Sequence, residues 1–175
     1  ITLYEYGNLD SVEIRGVEFE MNASVSDNLQ ASFGFSIPDG KENEEQLVSI
    51  DSEEAILGLV WTSGDNRFNL SGYASFTAGS HDNLAPSCGR GGCNPLLTLS
   101  GNTVFDLYGS YQLNENLKVR FAIRNLTDES YWNWASVQGK SATDPNLSLF
   151  MEPGRNLSAG ICLLYTSDAA DERLS

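Results

Sequence analysis

The sequence predicts an all-β protein, an antiparallel transmembrane β-barrel fragment of about seven strands. Three observations carry that prediction. Apolar and polar residues alternate with period two through seven segments, the connections between segments alternate between short and long, and aromatic residues gather near segment ends.

In the first segment Val17, Phe19, Met21, Ala23 and Val25 alternate with Glu18, Glu20, Asn22 and Ser24. A turn at Asp27 and Asn28 leads to Leu29, Ala31, Phe33, Phe35 and Ile37, which alternate with Gln30, Ser32, Gly34 and Ser36. Residues 54–61 and 68–78 form the next pair, joined at Ser63, Gly64 and Asp65. In its second strand Phe68, Leu70, Ala74 and Phe76 oppose Asn69, Ser71, Tyr73 and Ser75. Residues 105–113 and 117–126 make a hairpin about Asn114, Glu115 and Asn116, and a last strand begins at Arg155, with Leu157, Ala159 and Ile161 on one face. Turns are short at Asp27, Gly64 and Glu115, whereas loops are long over residues 39–53, 79–102 and 127–154. A soluble sandwich rarely segregates its connections in this way, but an outer-membrane barrel does, with short periplasmic turns and long extracellular loops. Trp61, Phe68, Phe76, Phe105 and Tyr111 lie near strand ends, where an aromatic girdle would place them.

Composition narrows the function classes. With 10 basic against 24 acidic residues and a net charge of −14, the 175-residue chain lacks the basic face that a nucleic-acid partner requires. Much of the acid lies in residues 39–54, read as a solvated loop, with divalent-cation or lipopolysaccharide bridging as the rival; the spacing fits no EF-hand. No apolar run reaches the roughly 18 residues of a membrane helix, which leaves membrane strands open. The chain starts without an initiator Met or a signal sequence, so any secretory signal is expected upstream. From Cys162 the text changes to CLLYTSDAADERLS, which resembles the conceptual translation of a sequencing adapter. The native domain is therefore expected over residues 1–161, with 162–175 a non-native tail.

Residues 104–139 (VFDLYGSYQLNENLKVRFAIRNLTDESYWNWASVQG), together with EPGRN at 152–156, IRGVEFE at 14–20 and QLVSIDSEEAILGLVW at 46–61, resemble the C-terminal signature of TonB-dependent receptors. Within that superfamily the YWNW run is most similar to the haemoglobin, haem and transferrin receptor branch. The resemblance implies a barrel of about 22 strands with a plugged lumen, of which this chain is roughly the last third. It implies a receptor of the bacterial cell outer membrane, not an enzyme, with outer-membrane lipid and the TonB energy-transducing complex as partners. The transported ligand would be haem, a haem protein or another iron chelate, and the fragment itself would bind no cofactor. The plug, the TonB-contact motif and most of the substrate site would lie upstream. A siderophore receptor of the same superfamily is the nearest alternative, and a passive porin or adhesin the alternative of another class. Family members usually end the last strand on an aromatic residue, which is absent here.

Candidate sites follow from single residues. His81, the one histidine, falls in an extracellular loop and is a candidate axial haem ligand. The family's ligating histidine usually lies in an earlier loop, so a plain solvated histidine is the competing reading. Cys88 and Cys93 enclose Gly89, Arg90, Gly91 and Gly92, a short glycine-rich loop, and fit a disulfide on the oxidising cell surface; two cysteines and one distant histidine do not make a structural zinc site. Tyr131, Trp132 and Trp134 are candidate ligand contacts, against the alternative of an aromatic belt at the outer interface. The five N-x-S/T matches fall mostly within strands and are read as chance. No nucleophile with a base and no paired catalytic carboxylates can be assembled from the sequence.

Overall fold

A computed structural model describes residues 11–42, 45–47, 49–80, 87–89 and 92–164. Its strands are β1 (Val12–Ser26), β2 (Leu29–Glu42), β3 (Glu45–Gln46), β4 (Glu54–Thr62), β5 (Phe68–Thr77), β6 (Ser87–Gly89), β7 (Gly92–Asn94), β8 (Asn102–Asn114), β9 (Leu117–Arg124) and β10 (Asn156–Leu163). A single helical turn, α1 (Trp134–Val137), and a 3₁₀ turn (Leu147–Phe150) lie between β9 and β10. The main sheet runs β1-β2-β4-β5-β8-β9-β10, every neighbour antiparallel, with β3 paired to the end of β2 and β6–β7 forming a separate hairpin. Each of the seven expected strands is present.

Bounds and loops differ from the expectation at several points: β8 starts at Asn102, not at Phe105, β10 stays paired to β9 through Cys162 and Leu163, past the expected boundary at residue 161, and β6 and β7 lie within the expected 79–102 loop. The β1–β2 ladder continues from Val17↔Ile37 through Arg15↔Asp39 to Val12↔Glu42, so the start of the acidic segment, expected as loop, is strand. Charged cross-strand neighbours, Arg15 facing Asp39 and Glu13 facing Lys41, let the ribbon continue in water where the alternation of apolar residues has stopped. β9 ends at Arg124 instead of Leu126, because Asn125 takes a left-handed φ of 51° that no strand accommodates. The loop over 127–154 is not irregular throughout, since it contains α1 and the 3₁₀ turn.

The register stacks the apolar residues of all seven strands on one face. Phe35, Ala55 and Phe76 follow one another across β2, β4 and β5, and Gly109, Phe121 and Ala159 across β8, β9 and β10. From Val17 to Val25 this face spans nine residues, about 26 Å along the strand, the length at which a tilted strand crosses the hydrocarbon of a bilayer. No charged residue interrupts it between those levels. Nothing covers it: Phe19, Leu57 and Leu157 are 46%, 44% and 72% exposed, and among the described residues the buried apolar side chains are only Ile50, Ala74, Ala122, Trp134 and Val137. A sheet with one such face and no second protein layer needs hydrocarbon on that side.

Aromatic side chains mark the lower edge of the band. Trp61 and Phe68 ring centroids lie 5.9 Å apart and Phe68 and Tyr111 6.4 Å, beside the short turns. Arg67 lies 5.4 Å from the Tyr111 ring centroid and donates to the Gln112 carbonyl at 3.1 Å. In the adjoining turn Asp65 accepts from the Ser63 hydroxyl and the Arg67 amide, and these hydrogen bonds hold its carboxyl below its ordinary pKa. Mid-band, the Phe121 ring lies over Gly109, where a β-carbon would collide with it. The ring covers a glycine that would otherwise leave a gap in the outer wall.

The face assignment has a direct test in the whole protein refolded into lipid vesicles. Phe121→Arg, which puts a cation in the band, is expected to cost roughly 2 to 4 kcal/mol, and Arg120→Gln, on the opposite face, no more than about 0.5 kcal/mol. Equal costs in a denaturant titration would reverse the two faces.

Candidate functional site

The opposite face of the sheet is polar and divides by charge. Glu18, Glu20 and Glu54 lie toward β1, and Lys118, Arg120 and Arg124 alternate along β9. Between them the Tyr73 and Tyr108 rings meet edge to face at 6.0 Å and 69°. Tyr73 stands beside Gly58, whose missing side chain makes the space: a β-carbon there would lie 3.0 Å from the Tyr73 ring. The Tyr108 hydroxyl donates to Asp106 at 3.1 Å, and the Arg124 guanidinium carbon lies 5.9 Å from the Tyr108 ring centroid.

Asp106 connects this wall to the loop that follows β9. Its other carboxylate oxygen accepts the Asn125 backbone N–H at 2.8 Å. Asn125, only 4% exposed, then closes the loop base through its side chain. Its Oδ1 accepts from Glu129 N at 2.8 Å, while Nδ2 donates to the carbonyls of Glu129 at 2.8 Å and Pro153 at 3.3 Å. Asp128, also left-handed at φ 59°, accepts from Arg155 N at 2.7 Å and faces the Arg155 guanidinium at 3.9 Å. One buried amide and one carboxylate thus tie the two ends of a long loop together. The N-L-T-D and P-G-R-N runs, informative above only as a family signature, are the two halves of this latch. Sequence analysis missed Asp106, Asn125 and Asp128 as site-forming residues; the only local signal was an Asn and an Asp among turn formers.

Above the latch the loop has its own small core. Trp132 pairs by backbone with Met151, and its Nε1–H donates to the Leu147 carbonyl at 3.0 Å. Asn133 caps α1 by accepting from Ala135 N at 2.9 Å, which turns Trp134 and Val137 inward, at 6% and 0% exposure. Lys140 sits 3.9 Å from the Phe150 ring centroid. The preceding long loop joins this one where Leu97 N donates to the Lys140 carbonyl at 2.8 Å and Leu96 bridges Ser141.

The candidate residues therefore separate. Tyr131, Trp132 and Trp134 lie in one loop, the first two half-buried and the last committed to the loop's core. Burial, helped by the Glu152 and Asp106 carboxylates, raises the Tyr131 phenol above its ordinary pKa, so it stays a neutral hydroxyl at neutral pH. Cys88 and Cys93 occupy directly opposite backbone positions in the β6–β7 hairpin. His81 lies outside the described residues.

Comparison with known proteins extends the picture. The profile of the family described as TonB dependent receptor-like, beta-barrel matches residues 1–126. Hemoglobin-binding protein A of Haemophilus influenzae is 21% identical over 176 residues, covering 88% of this chain and 17% of that protein. A probable hemoglobin and hemoglobin-haptoglobin-binding protein 4 from the same species is 21% identical over 183 residues, 91% of this chain and 18% of its own length. The chain thus spans less than a fifth of these curated relatives. Among solved structures, the copper transporter OprC superposes with a TM-score of 0.69 at 20% identity, over 87% of this chain and 23% of its own. The pyoverdine-bound FpvA of P. aeruginosa gives 0.66 at 12%, over 87% and 19%. At such identities both likenesses concern the fold.

For the latch, Asn125→Ala leaves the part-buried Glu129 N–H without its acceptor and puts a non-glycine residue at positive φ. It is expected to destabilise the loop locally by about 2 to 4 kcal/mol. Asn125→Gly, which relieves only the backbone, should fall between. Hydrogen exchange over residues 126–154 in the whole protein refolded into lipid vesicles reads this directly, and wild-type protection in both variants would refute it.

Proposed function

Since this chain belongs to the TonB dependent receptor-like β-barrel family of the bacterial outer membrane, we propose that it is part of a receptor that imports haem, or iron from a haem protein, using energy delivered through TonB. The observation that carries the haem reading is the alignment of 88% and 91% of the chain with two haemoglobin-binding proteins. The YWNW run in the loop above the latch supports it. In this reading the extracellular loops capture the ligand, the polar face of the sheet lines the lumen, and the plug moves to let the ligand pass. The protein keeps no cofactor in this part of the chain; haem or another iron chelate is its cargo.

Tyr131 and Trp132, both part-exposed, are the ligand contacts proposed here, with Trp134 holding the loop that presents them. His81 is proposed as dispensable. An iron-starved host expressing the whole receptor is expected to grow on haem or haemoglobin and not on ferric siderophores. His81→Ala should leave most of that growth intact, whereas deletion of residues 127–154 should abolish most of it. Growth on a siderophore but not on haem would replace the substrate assignment and leave the fold standing; loss of haem use in His81→Ala at normal surface expression would make the histidine a ligand.

Cys88 and Cys93 are proposed to form a disulfide. Their opposite register supports it, since directly facing strand residues have the separation that a bridge needs. In the native receptor a thiol-alkylating reagent is expected to label neither residue until reductant is added. Immediate labelling of both would rule the bridge out.

A further inference from the structure

We propose that Lys118, Arg120 and Arg124 form an anion-guiding column on the lumen wall, which takes the carboxylates of the iron chelate as it passes. This rests on the haem reading, because haem carries two propionates. The column follows from the strand itself. Alternate residues of β9 share a face, so the three cations are stacked over about 20 Å along the strand, roughly 15 Å along the axis of a barrel at the usual strand tilt, from beside the short turn at Asn116 to the latch at Asn125.

Their surroundings leave them open. Arg120 is opposite Ser110 on one side and Gly160 on the other, and Ala122 is opposite Ser158. These small neighbours leave a groove of about 490 Å³ along Asn69, Tyr108, Ser110, Arg120, Arg124 and Ser158. Arg124 is held over the Tyr108 ring, and Tyr108 is fixed in turn by Asp106, so the guanidinium nearest the loops is oriented in advance.

Among the described residues the ion pairs are Arg15–Glu13 and Arg155–Asp128, and neither involves the column. Arg124 has one carboxylate beside it, Asp106, which lies one step beyond the Leu107↔Ile123 pair and also accepts from the Asn125 N–H and the Tyr108 hydroxyl; Lys118 and Arg120 have no such neighbour on β8 or β10. Glu54 is three strands away in β4, about 14 Å, and Glu18 and Glu20 are five strands away, about 24 Å. These distances exceed a Debye length at physiological salt. Arginine presents a planar fork that matches a carboxylate. Cations spaced singly along a path bind an anion well enough to draw it in and weakly enough to release it to the next position.

The test uses the whole receptor in an iron-starved host, with haem and haem dimethyl ester as probes at matched surface expression. Wild type is expected to import haem at least tenfold faster than the ester. Arg120→Gln with Arg124→Gln should lower haem import about tenfold, to the rate of the ester, and leave the ester unchanged. The charge-preserving Arg120→Lys with Arg124→Lys should keep most haem import, and Arg15→Gln, on the outer rim of the lipid-facing side, should match wild type. If wild type imports haem and the double Gln variant does so equally well, the column is overturned and the haem reading stands. An equal fall for haem and its ester overturns it too, since the cations would then serve the protein's own carboxylates. Failure of wild type to import haem overturns both readings.

Discussion

Everything in this chain depends on one constraint: in hydrocarbon no backbone N–H or C=O can be left without a partner, because no water is present to supply one. The antiparallel ladders between β1 and β10 meet that demand wherever two strands join, each satisfying its neighbour and not itself, and among the described residues they leave the outer edges of β1 and β10 open. The side chains are then free to differ completely between the two faces. One face carries Val17, Phe33, Leu57, Phe105 and Phe121 into lipid, and the other carries serines, tyrosines and charges. Stability therefore does not come from a buried core, which the sheet lacks, but from pairing register and from a face matched to its solvent. A one-residue slip would exchange the faces, placing Glu18 and Arg120 in lipid, so the pattern that selects the membrane also fixes the register.

The same constraint explains why the loop ends need a latch. At Arg124 the ladder stops and the chain leaves the sheet through two left-handed residues, Asn125 and Asp128. Ladder partners are lost there, and side chains replace them: the Asn125 amide behaves as a short piece of strand, accepting from Glu129 and donating to Glu129 and Pro153. Asp106 does the same for the Asn125 N–H from within β8. Because Asp106 also holds Tyr108, the loop base and the polar wall share one carboxylate, and the position of the loop is set by the wall.

What could be read from the sequence follows from the range of the interactions involved. Period two is local, so the seven strands and the alternation of turn lengths were legible. The ends of β1 and β2 were not, since Arg15 facing Asp39 and Glu13 facing Lys41 look like loop residues unless both strands are seen together. α1, four residues long, leaves no periodic trace. The latch spans 28 residues between Asn125 and Pro153 and 19 between Asp106 and Asn125, and no local pattern encodes either contact. The cations of β9 alternate along the sequence, but their distance from the acidic edge depends on which strands lie between them, and the carboxylate of Asp106 beside Arg124 depends on the β8–β9 register. Trp134 was legible as an aromatic of the long loop, a candidate ligand contact; that it packs inward was not, because its direction is set by the Asn133 cap.

Charge distribution adds a further step. The chain carries −14, and much of that acid lies in residues 39–54, on the long-loop side of the sheet. A field of that sign repels anions at long range, so the acidic segment cannot steer an anionic ligand toward this part of the barrel. On the haem reading proposed above, capture would have to come from short-range contacts, which part-exposed Tyr131 and Trp132 could supply from a loop held by Trp134, Val137 and the latch. Away from that segment the sign changes on β9, where Arg124 lies nearest the latch and Arg120 and Lys118 follow toward the short turn, so the charge of the polar wall is separated both across the sheet and along it.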